Sequence, residues 1–231
     1  MTLPLLRDPL PTDILALRRT LPLKPAPVTL IGRRVRLEPL DLARDLDTLF
    51  AISDGRPFTL GDRTHNAYDA EAQVWRFMAG GPFATVAAMD AYFQGQLNAA
   101  NGLPFTVFDS TSGHAVGVAN FMSNVPDHLK IELGSIWYSP IAQRTGANTE
   151  ATYLMVRHAF ALGYQRVEWK CNALNTPSRE AALKLGFQFE GIQEDHMIIK
   201  DRPRDTAWFR ILAREWGTVA AALEKRLYDR A

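Results

Sequence analysis

The chain has 231 residues, 47% hydrophobic and 22% charged, as expected of a soluble globular protein, and it holds no apolar run near the roughly 18 residues that a membrane helix needs. A formal net charge of +1 leaves no broad basic footprint, so nucleic acid held directly by backbone electrostatics is disfavoured and an anionic ligand must be held by local geometry. The single cysteine, Cys171, rules out an internal disulfide and a cysteine-built metal site, and with no targeting signal in the N-terminal sequence the cytoplasm is the expected compartment.

Residues 1–29 contain Pro4, Pro9, Pro11, Pro22, Pro25 and Pro27, which fix φ and remove donors, so only residues 12–20 can form a helix, with Thr12 as a candidate cap. This segment is expected to be an N-terminal extension. Its pattern fits an arm packed over the domain or a partner as well as it fits a loosely ordered tail. Residues 30–231 are expected to form one domain, without internal repeats or low-complexity tracts.

Residues 28–37 read as a strand pair or one bent strand turning at Gly32-Arg33, with Val35 and Leu37 facing opposite to Arg34, Arg36 and Glu38. Behind an Asp41 cap, Leu42, Leu46, Leu49, Phe50 and Ile52 recur at helical spacing until Asp54-Gly55. Residues 58–68 lack periodicity and read as a loop. Residues 70–78 read as a helix broken by Gly80-Gly81-Pro82, and residues 85–99 as a second one, with Val86, Met89, Phe93 and Leu97 on one side. Residues 104–109 and 115–122 read as a hairpin.

In residues 131–138, Ile131, Leu133, Ser135 and Trp137 alternate with Glu132, Gly134, Ile136 and Tyr138, which predicts a strand. The polar run Gln143, Arg144, Thr145, Gly146, Ala147 and Asn148 follows. A helical stripe of Ala151, Leu154, Met155, His158, Ala159 and Leu162 then runs to Gly163. A strand at 166–171 and a helix at 177–185, with Thr176 as N-cap and Pro177 as first helical residue, complete the unit. A strand feeding a helix through a Gly-containing turn presents backbone N–H groups with no intrahelical partner, a ready site for an anion. Residues 189–199 and 206–212 read as a closing antiparallel hairpin about a polar turn at 200–204, and residues 216–228 as a last helix.

Gln143-x-x-Gly146-x-Asn148 after a strand, with Asn175-x-x-Ser178 and Lys184-Leu185-Gly186-Phe187-x-x-Glu190-Gly191 downstream, resembles the GCN5-related N-acetyltransferases. The closer resemblance is to the branch that acetylates ribosomal-protein N-termini, over residues 30 to 214 or so. The resemblance implies an α/β (α+β) fold with a mixed, mostly antiparallel sheet, helices on both faces and splayed central strands, as in acyl-CoA N-acyltransferases. It implies transfer of acetyl from acetyl-CoA, as cosubstrate and without a metal, to a primary amine by direct attack in a ternary complex. The acceptor would be a protein N-terminus or a small-molecule amine, with residues 58–68 and the helix pair after them bordering its site. Rival readings are a different acyl group, or a non-catalytic acyl-CoA sensor or interaction module. No membrane partner is implied, and a homodimer is admitted.

By the same resemblance, Ile136, Trp137 and Tyr138 would border the cofactor and backbone N–H groups of their strand would polarise the thioester. Gln143, Arg144, Thr145, Gly146, Ala147 and Asn148 would cradle its pyrophosphate, although the family pattern has Gly or Ala where Asn148 stands. Asn175 would contact the pantetheine arm. Ser178 would return a proton to sulfur, since the Tyr that does so in much of the superfamily is replaced by Ala182. Asn175 and Ser178 would equally serve as helix-start residues. Glu132 is the candidate base, an amine having to lose a proton before it attacks, and its bland alternative is an ion pair or a solvent-facing residue. His196 competes by its ordinary pKa, though a lone strand histidine is more often structural.

Overall fold

The computed structural model describes residues 8–229. In chain order these form α1 (Thr12–Thr20), β1 (Leu30–Ile31), β2 (Val35–Pro39), α2 (Leu42–Ala51), β3 (Phe58–Leu60), β4 (Arg63–His65), a π-helical turn (Glu71–Trp75) and α3 (Val86–Leu97). β5 (Leu103–Asp109), β6 (Ala115–Val125), a 3-10 turn (Pro126–His128), β7 (Lys130–Tyr138), α4 (Ala147–Ala161) and β8 (Arg166–Asn172) follow. α5 (Thr176–Lys184), β9 (Gln188–Ile199), β10 (Arg202–Leu212) and α6 (Ala213–Tyr228) complete the fold. Eight strands make one sheet in the order β1-β2-β5-β6-β7-β8-β10-β9, and β3 pairs with β4 apart from it. Every pairing in the large sheet is antiparallel except β7 with β8.

Helices cover both faces of this mixed sheet, α2 and α3 packing over β5 and β6, and α4 over β1, β2 and β7. Strands covered on both sides are mostly apolar, and residues 103–108 and 115–121 are accordingly all buried, Thr106 and Asn120 being the polar ones among them. Asp41 caps α2, its Oδ1 accepting from the backbone N–H of Ala43 at 3.0 Å. Thr85 caps α3 the same way, accepting from Ala88 N at 3.2 Å.

The parallel pair opens part-way along. β7 and β8 are in register only from Lys130 opposite Arg166 to Leu133 opposite Trp169, yet β7 continues to Tyr138 and β8 to Asn172. A bulge accompanies the opening: Trp137 pairs with Val118 and Gly134 with Asn120, so Ser135 and Ile136 stand against Ala119 alone, with Ser135 at φ 48°. The strict alternation read for residues 131–138 therefore stops at Gly134.

The N-terminal arm lies on the domain. Asn124 Nδ2 donates to Pro22 O at 3.0 Å and Leu23 O at 2.8 Å, Lys24 Nζ donates to Ala99 O at 3.1 Å, and Leu17 packs on Gly163. Pro4 of the proline series lies outside the described residues. Among the described residues no helix is long and apolar enough to cross a membrane.

Several local expectations are corrected. Residues 58–68 hold the β3–β4 hairpin, closed by a turn in which Gly61 has φ 61°. The helix expected at 70–78 is only the π-helical turn. Trp75 there is wholly buried, its Nε1 donating to Ser53 O at 2.8 Å, and Gly81 returns at φ 74° against the face of its ring, where a Cβ would collide. The N-cap of α5 is Asn175 rather than Thr176: its Oδ1 accepts from Ser178 N at 3.2 Å. Leu162 is 42% exposed and leaves the buried stripe of α4. The turn between β9 and β10 is Lys200-Asp201 alone, at φ 49° and 60°, so residues 202–204 are strand. Pro203 is tolerated there because β8 pairs with β10 only from Thr206 onward, leaving no second strand to claim its missing donor.

Candidate active site

The turn after β7 is built to expose donors. Gly146 sits at φ 94°, a left-handed conformation that glycine adopts without cost, and it caps α4 with no side-chain hydrogen bond. Thr145 Oγ1 donates to Ala142 O at 2.7 Å and accepts from Ala147 N at 3.3 Å. Gln143 Nε2 bridges Tyr138 O at 3.0 Å and Gln73 O at 3.1 Å, fixing the turn to β7 and to the π-helical turn. Among the described residues, the N–H groups of Arg144, Thr145, Gly146 and Asn148 find no partner within the chain.

One basic side chain lies beside these donors. The Arg34 side chain lies about where a Gly146 Cβ would touch it, its Cδ 3.6 Å away. Glu150, fully buried one turn into α4, sets that arrangement. Its Oε1 accepts from Arg33 N at 3.0 Å, and its Oε2 from Arg34 N at 2.6 Å and Val35 N at 2.8 Å. One carboxylate thus clamps the β1–β2 turn to the start of the helix.

Where β7 and β8 part, a cavity of about 200 Å³ opens. Glu132, Gly134, Ser135 and Ile136 line it from β7, and Lys170, Cys171, Asn175 and Ser178 from β8 and the start of α5. Residues 77–79 close another side, together with Met197, Ile199, Arg204 and Thr206 of the β9–β10 hairpin. The tip of that hairpin is tied across the cavity: Lys200 Nζ donates to Trp75 O at 2.8 Å and pairs with Glu71 at 3.2 Å. None of residues 58–68 reaches the lining.

Of the residues singled out from the sequence, Glu132, Ile136, Asn175 and Ser178 share this cavity. Trp137 and Tyr138 are buried behind it, Trp137 packing on Trp75 with ring centroids 5.1 Å apart. Gln143, Arg144, Thr145, Gly146, Ala147 and Asn148 form the separate turn. His196 stands outside the lining. Its Nδ1 is 3.0 Å from Thr206 Oγ1 and its ring lies against Trp208, while burial and the charges of Lys170 and Arg204 lower its pKa.

Glu132 is 4% exposed, and burial pushes its carboxyl above the usual range while Lys170 and Ser123 pull it back. Lys170 Nζ is 2.6 Å from Glu132 Oε2, an ion pair by distance, but it approaches off the direction of a good hydrogen bond, so Oε2 is charge-compensated without a directed donor. Ser178 Oγ accepts from Trp169 Nε1 at 3.1 Å, which leaves its own proton to point elsewhere. It faces Cys171: burial raises that thiol, opposed by the Ser178 hydroxyl and the charges of Arg204 and Arg179. A buried acid near a cation and a hydroxyl with a free proton suit proton movement to and from a bound group.

The acetyltransferase (GNAT) domain family matches residues 34–188, more than half of the chain. The protein belongs to the GNAT acetyltransferase family. A GCN5-related N-acetyltransferase from Brucella melitensis is 38% identical over 87% of this chain and 86% of that one, with a TM-score of 0.78. One of the "probable acetyltransferases (GNAT family)" from Chromobacterium violaceum ATCC 12472 is 32% identical over 84% of this chain and 90% of that one, with a TM-score of 0.74. An acetyltransferase from Salmonella typhimurium that modifies the N-terminal serine of a 50S ribosomal subunit protein shares the fold at 14% identity, covering 80% of this chain and 99% of that one, with a TM-score of 0.65. No curated protein matches the chain.

Sequence reasoning passed over Lys170, Arg204, Trp169, Arg34 and residues 77–79. Lys170 carried a signal, a cation inside the otherwise buried strand Val167-Glu168-Trp169-Lys170-Cys171. Arg204 carried none, because residues 200–204 read as one polar turn.

Proposed function

We propose that this GNAT protein transfers an acetyl group from acetyl-CoA to a primary amine by direct attack in a ternary complex. The reading rests on one observation above all: Glu132 and Ser178 stand on the wall of one cavity at the parting of β7 and β8. The residues present suit acetyl-CoA. The unpartnered N–H groups at Arg144–Gly146 and Asn148, with Arg34 beside them, match a pyrophosphate, the start of α4 adding its dipole. Among the described residues only the Oδ1 of Asn175 is used, as a cap, which leaves its Nδ2 to meet an amide of the pantetheine arm.

The bound thioester supplies the acyl group. Glu132 takes the proton that the ammonium of the acceptor must lose, so that nitrogen attacks the thioester carbon. A backbone N–H of β7 steadies the oxygen as the carbon–sulfur bond breaks; Ser178 gives its proton to sulfur and regains one from the nitrogen, which sheds its second proton as the amide forms. Residues 1–29 act as an extension and residues 30–231 as the catalytic domain, working in the cytoplasm without a metal. The experiment is a mixed amine and peptide library incubated with acetyl-CoA, with thiol release and mass shift both read. Acetylated members are expected. Tight acetyl-CoA binding with no acetylated member would make the protein an acyl-CoA sensor instead.

A further inference from the structure

The cavity holds one more charge than transfer requires. Arg204 extends from β10 opposite Met197, beyond the end of β8, and lines the cavity beside Glu132. Among the described residues its guanidinium makes no ion pair and no hydrogen bond, and its Nε is buried without an acceptor. Glu132 does not serve it, being held by Lys170 at 2.6 Å. Burial lowers the Arg204 pKa against the attraction of Cys171 and Glu132, yet a guanidinium keeps its proton in proteins. Arg204 is half-buried, with its Nε wholly out of solvent, and a ligand that brings a counter-charge offsets the cost of that desolvation.

The cofactor cannot bring it. Acetyl and pantetheine are neutral, and no residue of the 143–148 turn, where its phosphates would lie, reaches this cavity. We infer that the acceptor amine also carries a carboxylate, gripped by the Arg204 fork while its amine faces Glu132. Glu132 and Lys170 cancel, so the wall offers one net positive charge, which suits a carboxylate better than a phosphate dianion. The planar guanidinium matches a carboxylate by two parallel hydrogen bonds. Phe77, Met78, Met197 and Ile199 complete the lining and suit an apolar body between or beside the two polar groups. The inference rests on the transferase reading for the amine, while the carboxylate site stands on Arg204.

The test is calorimetric titration of the full chain, with coenzyme A present, by matched pairs: methionine, phenylalanine and 4-aminobutyrate, each against its amide. At least one carboxylate should bind about 10-fold or more tighter than its amide, the scale of a charged hydrogen-bonded contact. That preference should vanish in Arg204→Gln and return in part in Arg204→Lys, which keeps the charge without the fork. No preference in any pair with the wild-type chain overturns the inference even if the variants fail to fold. A preference that survives in folded Arg204→Gln overturns it too. Thiol release from acetyl-CoA, read in parallel, separates the two readings. Carboxylate preference without release refutes transfer and leaves the Arg204 site standing, whereas release with neutral amines and no preference does the reverse.

Discussion

Lys170 Nζ lies 2.6 Å from Glu132 Oε2, so the carboxylate in the cavity is half of a buried ion pair whose partner also stacks its ammonium over Trp208 at 4.5 Å. The pair sets opposing influences on Glu132: burial raises its pKa and Lys170 lowers it. Lys170→Met removes the second, so the pKa rises further. If Glu132 is the base, the acid limb of the pH–rate profile moves to higher pH in this variant, and an unmoved limb assigns it to another group. The stability sign follows from the raised value. The folded state holds the proton more tightly than the unfolded chain, whose glutamate titrates at about 4.3. This group therefore favours folding below that pH, and the contribution is lost as pH rises through the folded pKa. Lys170→Met should widen the window of loss, as measured by denaturant unfolding at several pH values.

Ser178→Ala should lower turnover by roughly 10² or more, the range for a proton donor in the transition state. Acetyl-CoA affinity should stay within a few-fold, because the cap of α5 belongs to Asn175 and survives the change. Single-turnover kinetics and calorimetry together check this. An unchanged chemical step would leave Ser178 as the acceptor for Trp169 and nothing more.

Gly146→Glu should abolish acetyl-CoA binding. It forces a side chain into φ 94°, at a cost of about 1–2 kcal/mol in stability, and sets a negative charge among the free N–H groups. Arg34→Met, which leaves the backbone alone, should weaken binding less and reduce its dependence on salt. Wild-type affinity in folded Gly146→Glu would move the pyrophosphate elsewhere.

Glu150→Ala should destabilise the fold by about 2–4 kcal/mol, because it strands the N–H groups of Arg33, Arg34 and Val35. Glu150→Gln keeps one acceptor oxygen and should cost less. Urea midpoints measure both. If the clamp also sets Arg34 beside Gly146, acetyl-CoA affinity should fall in the order wild type, Gln, Ala.

Much of this architecture is local chemistry and could be read in advance. The Asp41 cap, the 3.6-residue stripe ending at Ala159 and the Gly146 turn are decided within a few residues by backbone sterics and hydrogen bonding. Reading failed where burial overrode pattern, as at Trp75, whose wholly buried ring sits in a π-helical turn where a regular helix was expected. It also failed where a turn carried no signature: Lys200-Asp201 takes positive φ at both residues without a glycine or asparagine.

What the sequence alone determined was the strand–turn–helix unit and the order of most elements around it, because those depend on neighbours along the chain. Tertiary structure decided which charges meet. Glu132 with Lys170, Arg34 with Gly146 and Arg204 without an ion-pair partner among the described residues follow from strand register, from the parting of β7 and β8 after Leu133 opposite Trp169, and from where β8 stops beside β10. A shift of one residue in any of those registers would turn the same side chains to the other face of the sheet.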